Sequence, residues 1–185
     1  MAEPIASVGR HAGAVRVRPR LPEDLAPCGA LVRAVRHRDG YPPYLPGGDV
    51  QALLEVPGAL GAWVAELDGA VVGHVALHRE SSPEVMARAA GALGLVPGDL
   101  AVVARLVVAP PWRRGGIGRA LLETAASAAT GFARRAVLDV AARFGGAVTL
   151  YRSCRWIELG TVAVRLPDGT VLDELVFASP PAGAP

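Results

Sequence analysis

The sequence predicts a single α/β domain in which a mixed sheet of about seven strands is flanked by helices. Its 185 residues match the length of one domain, since single cores usually span about 100 to 200 residues. The turn signals Asp68-Gly69 and Pro167-Asp168-Gly169 each predict an antiparallel hairpin. A strand, a helix and a strand within residues 100 to 140 require a right-handed parallel crossover.

The first half of the chain begins with alternating apolar and charged residues and continues into a helical pattern. Pro22, followed by two acidic residues, opens that helix, and Asp49 is a cap for a second, shorter one. Prolines and glycines between the two helices exclude regular structure. In order, the pattern predicts a strand at 15–18, a helix from Pro22, a loop at 37–48, a helix after Asp49, and strands at 63–67 and 70–77.

The second half alternates helices with apolar strands. Ser82-Pro83-Glu84 starts a helix, and Pro110-Pro111 ends the buried strand that follows it. The pattern then predicts strands at 100–108 and 136–140, helices at 118–130 and about 147–154, and a last hairpin around 167–169. Small and polar residues at both ends predict flexible tails at 1–13 and 179–185, so we expect the domain to span 14–178.

Composition excludes several classes of function. A net charge of +2 is too small for a nucleic-acid binder, and no apolar run is long enough to cross a membrane. Cys28 and Cys154 lie far apart, without metal-ligand spacing, so we expect neither a metal nor a disulfide. The N-terminus carries no signal-peptide pattern, which leaves the cytoplasm as the expected location.

The segment from Arg113 to Arg119 is the strongest functional signal in the chain. It joins the end of a strand to the start of a helix, where backbone N–H groups without helical partners favour an anion. Three glycines let the backbone approach a ligand closely, and three arginines supply forked donors for phosphate oxygens. The residues are Arg113, Arg114, Gly115, Gly116, Ile117, Gly118 and Arg119.

Three other interpretations of this segment fit less well. A P-loop needs a lysine, and the chain contains none. A Rossmann fingerprint needs a further glycine where Leu121 stands. A glycine-rich turn with solvated arginines stays open on the segment alone.

Residues 105–122 resemble the acyl-CoA-binding core of the GNAT acetyltransferases. The family pattern Arg/Gln-x-x-Gly-x-Gly/Ala is matched by Arg113, Gly116 and Gly118. Downstream, residues 138–151 resemble the family's next strand and helix. The resemblance implies a GNAT-like fold with a splayed pair of parallel strands, with acetyl-CoA as co-substrate and an amine as acceptor.

The resemblance also implies roles for individual residues. Backbone groups of Leu106, Val107 and Val108 would pair with pantetheine, and Tyr151 would protonate the departing thiolate. A tyrosine suits that task, because its ordinary pKa of about 10 keeps it protonated at neutral pH.

Three positions depart from the family pattern. Phe144 replaces the frequent Asn before the last helix, and Arg155 replaces the Gly after it, where a positive φ would be strained. Val102 stands where the family often has a glutamate, so no motif assigns the general base. Candidates for the base are Asp99, Glu80, His78 and Glu84.

The acceptor side is the least specified part of the sequence. Tyr41 and Tyr44 in the loop 37–48 could form apolar walls, and Asp39 could bind an ammonium group. The acceptor class stays open, as does a homodimer. A catalytically silent acyl-CoA sensor is the alternative to an N-acetyltransferase, and Tyr151 favours the enzyme.

Overall fold

The computed structural model describes residues 14–181, and its central element is one seven-stranded sheet. The strands are β1 (Arg16–Pro19), β2 (Gly61–Leu67), β3 (Ala70–His78), β4 (Leu100–Val108), β5 (Arg135–Ala141), β6 (Ile157–Arg165) and β7 (Val171–Ala178). The helices are α1 (Leu25–Asp39), α2 (Val50–Leu54), α3 (Pro83–Leu93), α4 (Ile117–Gly131) and α5 (Gly145–Ser153). The predicted tail 1–13 lies outside the described residues.

Local signals place several of these elements where the sequence predicts them. Asp68 and Gly69 both have positive φ, as a tight hairpin turn requires, and they join β2 to β3. The Asp49 side chain accepts a hydrogen bond of 2.8 Å from the backbone N–H of Gln51 and caps α2. The Ser82 hydroxyl caps α3 in the same way.

The sheet is mixed, as predicted, with the order β1-β2-β3-β4-β5-β7-β6. Only β4 and β5 pair in parallel, and α4 connects them. Their pairing is confined to three residue pairs, from Leu100 with Arg135 to Val102 with Val137. Beyond Val102 the two strands separate, since β4 continues along β3 and β5 continues along β7. The middle of the sheet therefore opens into a V-shaped cleft.

Helices cover both faces of the sheet. Successive strand residues point to opposite sides, so neighbouring residues of one strand pack against different helices. In β4, Val102 packs against α3, while Val103 packs in the core beneath α4 and α5. In β2, Val64 faces α1 and α2, while Ala65 faces α4. The cleft thus lies between two packed layers.

Two segments differ from the sequence prediction. Helix α1 continues to Asp39 and ends at Gly40, whose φ of 73° forms a left-handed cap. The packed chain also extends past residue 178, because Ser179 is buried and its N–H donates to the Ala136 carbonyl at 2.8 Å. Within residues 14–181, no helix is long and apolar enough to cross a membrane.

Candidate active site

The cleft between β4 and β5 forms a cavity of about 1270 Å³. One end is bordered by the segment 113–119 and the start of α4. The other end reaches β7 and the segment that follows β3. Leu106, Val107 and Val108, the predicted pantetheine contacts, line the cavity. The cavity therefore connects an arginine-rich end with the centre of the sheet.

The arginine-glycine segment begins α4 with a left-handed residue. Gly116 is the N-cap, with a φ of 85°, a conformation that disfavours residues with a side chain. Gly118 lets α4 approach α5, because a Cβ there would lie 3.1 Å from Leu150 Cδ2. Of the predicted cofactor residues in this segment, the cavity is lined by Arg113, Arg114, Gly116, Gly118 and Arg119. Gly115 does not line it, and Ile117 is buried beneath the helix.

Two of the arginines already make contacts within the protein. The Arg113 Nε donates to the Val108 carbonyl at 3.0 Å, and its Nη2 forms an ion pair with Asp39 at 2.5 Å. Arg119 donates to the Ser153 carbonyl at 3.1 Å. Asp39, the predicted ammonium partner, thus lines the cavity and forms an ion pair with Arg113.

A β-bulge in β4 changes the direction of the strand beside the cleft. One residue of β3, Val75, faces both Arg105 and Leu106, and Arg105 has a φ of 56°. His74 Nδ1 lies 3.1 Å from the Arg105 carbonyl, and the Arg20 guanidinium donates to His74 Nε2 at 3.3 Å. Because a guanidinium can only donate, His74 carries its proton on Nδ1 and donates it to the carbonyl. His74 is fully buried, and burial lowers its pKa to about 4.

Tyr151 lies on α5 at the wall of the cavity. Its ring packs against Trp156 and Phe177, with centroid distances of 6.2 and 5.7 Å. Burial raises the pKa of its hydroxyl well above the usual range, and the nearby Tyr41 and Asp139 add to the effect. The hydroxyl is therefore a proton donor that stays protonated at neutral pH.

The cavity that Tyr151 lines also contains a pair of carboxyl groups that the sequence reasoning missed. Asp139 on β5 and Glu174 on β7 are diagonal neighbours on one face, are hydrogen-bonded to each other and line the cavity. The Ser81 hydroxyl donates to Asp139 Oδ1 at 3.0 Å. Burial and the adjacent Asp139 raise the pKa of Glu174, so Glu174 holds a proton and donates it to Asp139.

The candidate general bases from the sequence lie at different distances from this pair. Glu80 is exposed and lines the mouth of the cavity, and His78 lines its wall. Burial is the main factor that lowers the pKa of His78 to about 4. Asp99 lies on an exposed turn at the start of β4, and neither Asp99 nor Glu84 lines the cavity.

The tyrosines of the loop that follows α1 both reach the cavity. Tyr44 is partly buried at its wall. The Tyr41 ring meets Phe144 edge-on at 5.5 Å, and its hydroxyl is hydrogen-bonded to the Arg105 side chain. Phe144 occupies the N-cap of α5 without a side-chain cap, and Arg155 adopts the positive φ expected at its position, 59°. In residues 14–181, no group of three or more His, Cys, Asp or Glu side chains could hold a metal ion.

Several solved structures share this fold at low sequence identity. NAA60 from Arabidopsis thaliana in complex with acetyl-CoA has a TM-score of 0.66 at 22% identity, over 89% of this chain and 97% of that one. The ribosomal-protein-S18-alanine N-acetyltransferase from Escherichia coli has a TM-score of 0.62 at 19% identity, over 93% and 97%. The putative acetyltransferase yncA from Salmonella typhimurium, with its cofactor acetyl-CoA, has a TM-score of 0.62 at 18% identity, over 93% and 98%. No curated protein matches the sequence.

The fold and the cleft are those of an acetyltransferase, an enzyme that transfers an acyl group from acyl-CoA to an amine. The family model of the acetyltransferase (GNAT) family matches residues 32–155, which is more than half of the chain. The chain therefore belongs to the GNAT acetyltransferase family, and the resemblance found in its sequence is confirmed.

Proposed function

We propose that this enzyme transfers an acetyl group from acetyl-CoA to an amine by direct attack within a ternary complex. The observation that carries the proposal is the single cavity that joins the arginine-glycine segment to Tyr151 and Asp139. A phosphate-binding end and a proton-transfer centre in one cleft are what such a reaction requires.

The cofactor end is proposed to bind the CoA phosphates. Arg113, Arg114 and Arg119 would contact their oxygens, together with the free N–H groups at the start of α4. Two fold neighbours contain acetyl-CoA, NAA60 and yncA, which supports this assignment. Strand β4 from Leu106 to Val108 would then pair with pantetheine and place the thioester in the cleft, with attack geometry supplying much of the rate.

Tyr151 is proposed as the general acid. The amine nitrogen attacks the thioester carbon, the C–S bond breaks, and the departing thiolate takes the proton of the Tyr151 hydroxyl. The raised pKa of Tyr151 ensures that this proton is present before the reaction. The tyrosine is restored by proton exchange with water after CoA has left.

Asp139 is proposed as the general base. The attacking nitrogen gains a positive charge as it bonds to carbon and must lose a proton to become an amide. Asp139 lines the same cavity as Tyr151, and hydrogen bonds from Ser81 and Glu174 hold its carboxylate in place. The nitrogen's proton passes to Asp139 and then to solvent. Asp139 replaces Asp99 and Glu80 as our preferred base because it alone of the three lies beside Tyr151.

The test is release of free CoA thiol from acetyl-CoA in the presence of a panel of amines, amino acids, peptides and polyamines. At least one acceptor should raise the rate above that of acetyl-CoA alone. Asp139→Asn should lower kcat about 10²- to 10⁴-fold at neutral pH. Asp173→Asn is the matched control, since Asp173 is exposed on β7 next to Glu174.

Two outcomes would contradict the proposal. If acetyl-CoA binds but no acceptor accelerates thiol release at any pH, the chain is an acyl-CoA sensor rather than an enzyme. If turnover occurs and Asp139→Asn behaves like Asp173→Asn, the base lies elsewhere.

A further inference from the structure

Arg105 places a positive charge at the wall of the cavity. It lies within the apolar strand β4, is partly buried and lines the cavity. Its Nε donates to the Leu53 carbonyl at 3.4 Å, and its guanidinium is hydrogen-bonded to the Tyr41 hydroxyl. Among residues 14–181, no carboxylate forms an ion pair with it. A guanidinium has five N–H donors, so several stay available to a ligand.

The opposite charge lies in the same part of the cavity. The Asp139–Glu174 pair shares one proton and so carries one negative charge. The Tyr41 hydroxyl is close enough to sense both charges: it is hydrogen-bonded to Arg105, and Asp139 and Glu174 also act on its pKa. A cation and an anion thus line one cavity near Tyr41 without forming an ion pair with each other.

A third polar group at the cavity wall, the His78 ring, lacks a hydrogen-bond partner. His78 is 7% exposed, lines the cavity and has no hydrogen-bond partner at Nε2. Buried polar atoms are nearly always paired, so an unpaired one at a cavity wall indicates a missing ligand or water. Arg105 lies close enough to His78 to disfavour its protonated form. The neutral ring therefore offers one more polar contact beside Arg105.

We propose that the acceptor is a free amino acid, with its amine held by Asp139 and its carboxylate held by Arg105. This inference rests on the proposed acetyl transfer and names its substrate class. The bound carboxylate supplies the counter-ion that Arg105 lacks, while the amine lies between Asp139 and the thioester carbon. The product is the N-acetyl amino acid, and CoA leaves as the free thiol.

The charge arrangement disfavours two other classes of acceptor. A simple amine leaves Arg105 without an anionic partner, which costs free energy for a partly buried charge. A peptide N-terminus presents an uncharged amide carbonyl where an amino acid presents a carboxylate. Each loses a charge-assisted hydrogen bond, which corresponds to a loss of about 10- to 100-fold in kcat/KM.

The experiment compares matched acceptors on the unmodified protein. The probes are the twenty common L-amino acids, the carboxamide of each, and the primary amine that lacks the carboxylate. With acetyl-CoA saturating, the best amino acid should exceed its own carboxamide and its decarboxylated amine by about 10- to 100-fold in kcat/KM. Equal or faster reaction of the carboxamides overturns the inference but leaves acetyl transfer intact. If no probe or other amine releases thiol, the proposed function fails with it.

A pair of variants tests the role of Arg105 directly. Asn tolerates positive φ, so Arg105→Asn removes the charge with little backbone strain. The preference for amino acid over carboxamide should fall to about one in this variant. Arg114→Asn is the matched control, because Arg114 also has a positive φ and lies at the other end of the cavity. It should change KM for acetyl-CoA and keep the preference. An unchanged preference in Arg105→Asn overturns the assignment.

Discussion

Replacement of Tyr151 by Phe removes one hydroxyl group and leaves the packing of the ring unchanged. The ring is 7% exposed and lies against Trp156 and Phe177. Phe keeps these aromatic contacts and the same volume. We therefore expect the free energy of unfolding to change by less than about 1 kcal/mol.

The effect on catalysis should be much larger than the effect on stability. Loss of a general acid lowers kcat by about 10²- to 10⁴-fold, which is about 2.7 to 5.4 kcal/mol of transition-state stabilisation. KM for acetyl-CoA should hardly change, because the proposed phosphate contacts lie at the other end of the cavity. Burial raises the pKa of Tyr151, so its ionisation should cause no loss of wild-type activity below about pH 10.

The assay follows thiol release at saturating acceptor over pH 6 to 10, with urea unfolding of both proteins as the stability control. A tenfold or smaller change in kcat would assign the proton to water. A large loss of both stability and acetyl-CoA binding would make Tyr151 a structural residue instead.

Three further predictions concern the carboxyl pair and the cofactor end. The pKa of Glu174 is raised on folding, so its stabilising contribution is complete below its unfolded pKa of about 4.5 and declines as pH rises toward the folded value. The free energy of unfolding of Glu174→Gln should therefore rise relative to that of the wild type by about 1.4 kcal/mol per pH unit across that window. Equal differences between the two proteins in urea unfolding at pH 5 and pH 8 would contradict this. Gly116→Val places a branched side chain at a φ of 85°, so calorimetry should show at least about tenfold weaker binding of CoA, and unchanged affinity would remove the segment from the cofactor site. Asp39→Asn frees Arg113 from an exposed ion pair of modest strength. KM for acetyl-CoA should therefore fall about two- to fivefold at low salt and become equal to the wild-type value at high salt. A raised KM would mean that Asp39 positions Arg113 for the cofactor.

The fold was predictable because each element carries its own local signal. The Asp68-Gly69 turn, the Ser82 cap and the apolar run of β4 each specify structure within a few residues. The arginine-glycine segment was predictable for the same reason, since its donors are contiguous in the chain. Its internal contact with Asp39 was not, because that contact depends on where α1 ends against the sheet.

The carboxyl pair could not be predicted by motif, because the register between two strands brings it together. Asp139 pairs with Val176, and Ala141 with Glu174, which places the two acidic residues on one face. A weaker signal was present in the sequence: Arg105 and Asp139 are the charged residues within the predicted apolar strands 100–108 and 136–140. A charge in a buried strand requires a partner, and both of these residues line the cavity.

Because β4 and β5 pair over a short distance, the sheet consists of two parts, the plate β1 to β4 and the plate β5 to β7, joined along one short seam. Three residue pairs hold the plates together, and the seam includes the small residues Ala101 and Ala136. If one plate rotates about this seam relative to the other, its residues move farther the more distant they are from the seam, so the open end of the cleft moves most. A larger side chain at Ala101 or Ala136, both buried in the core beneath α4, would therefore disturb the seam without contacting a ligand in the cavity. The opening of the cleft thus depends on two small residues that lie outside the cavity.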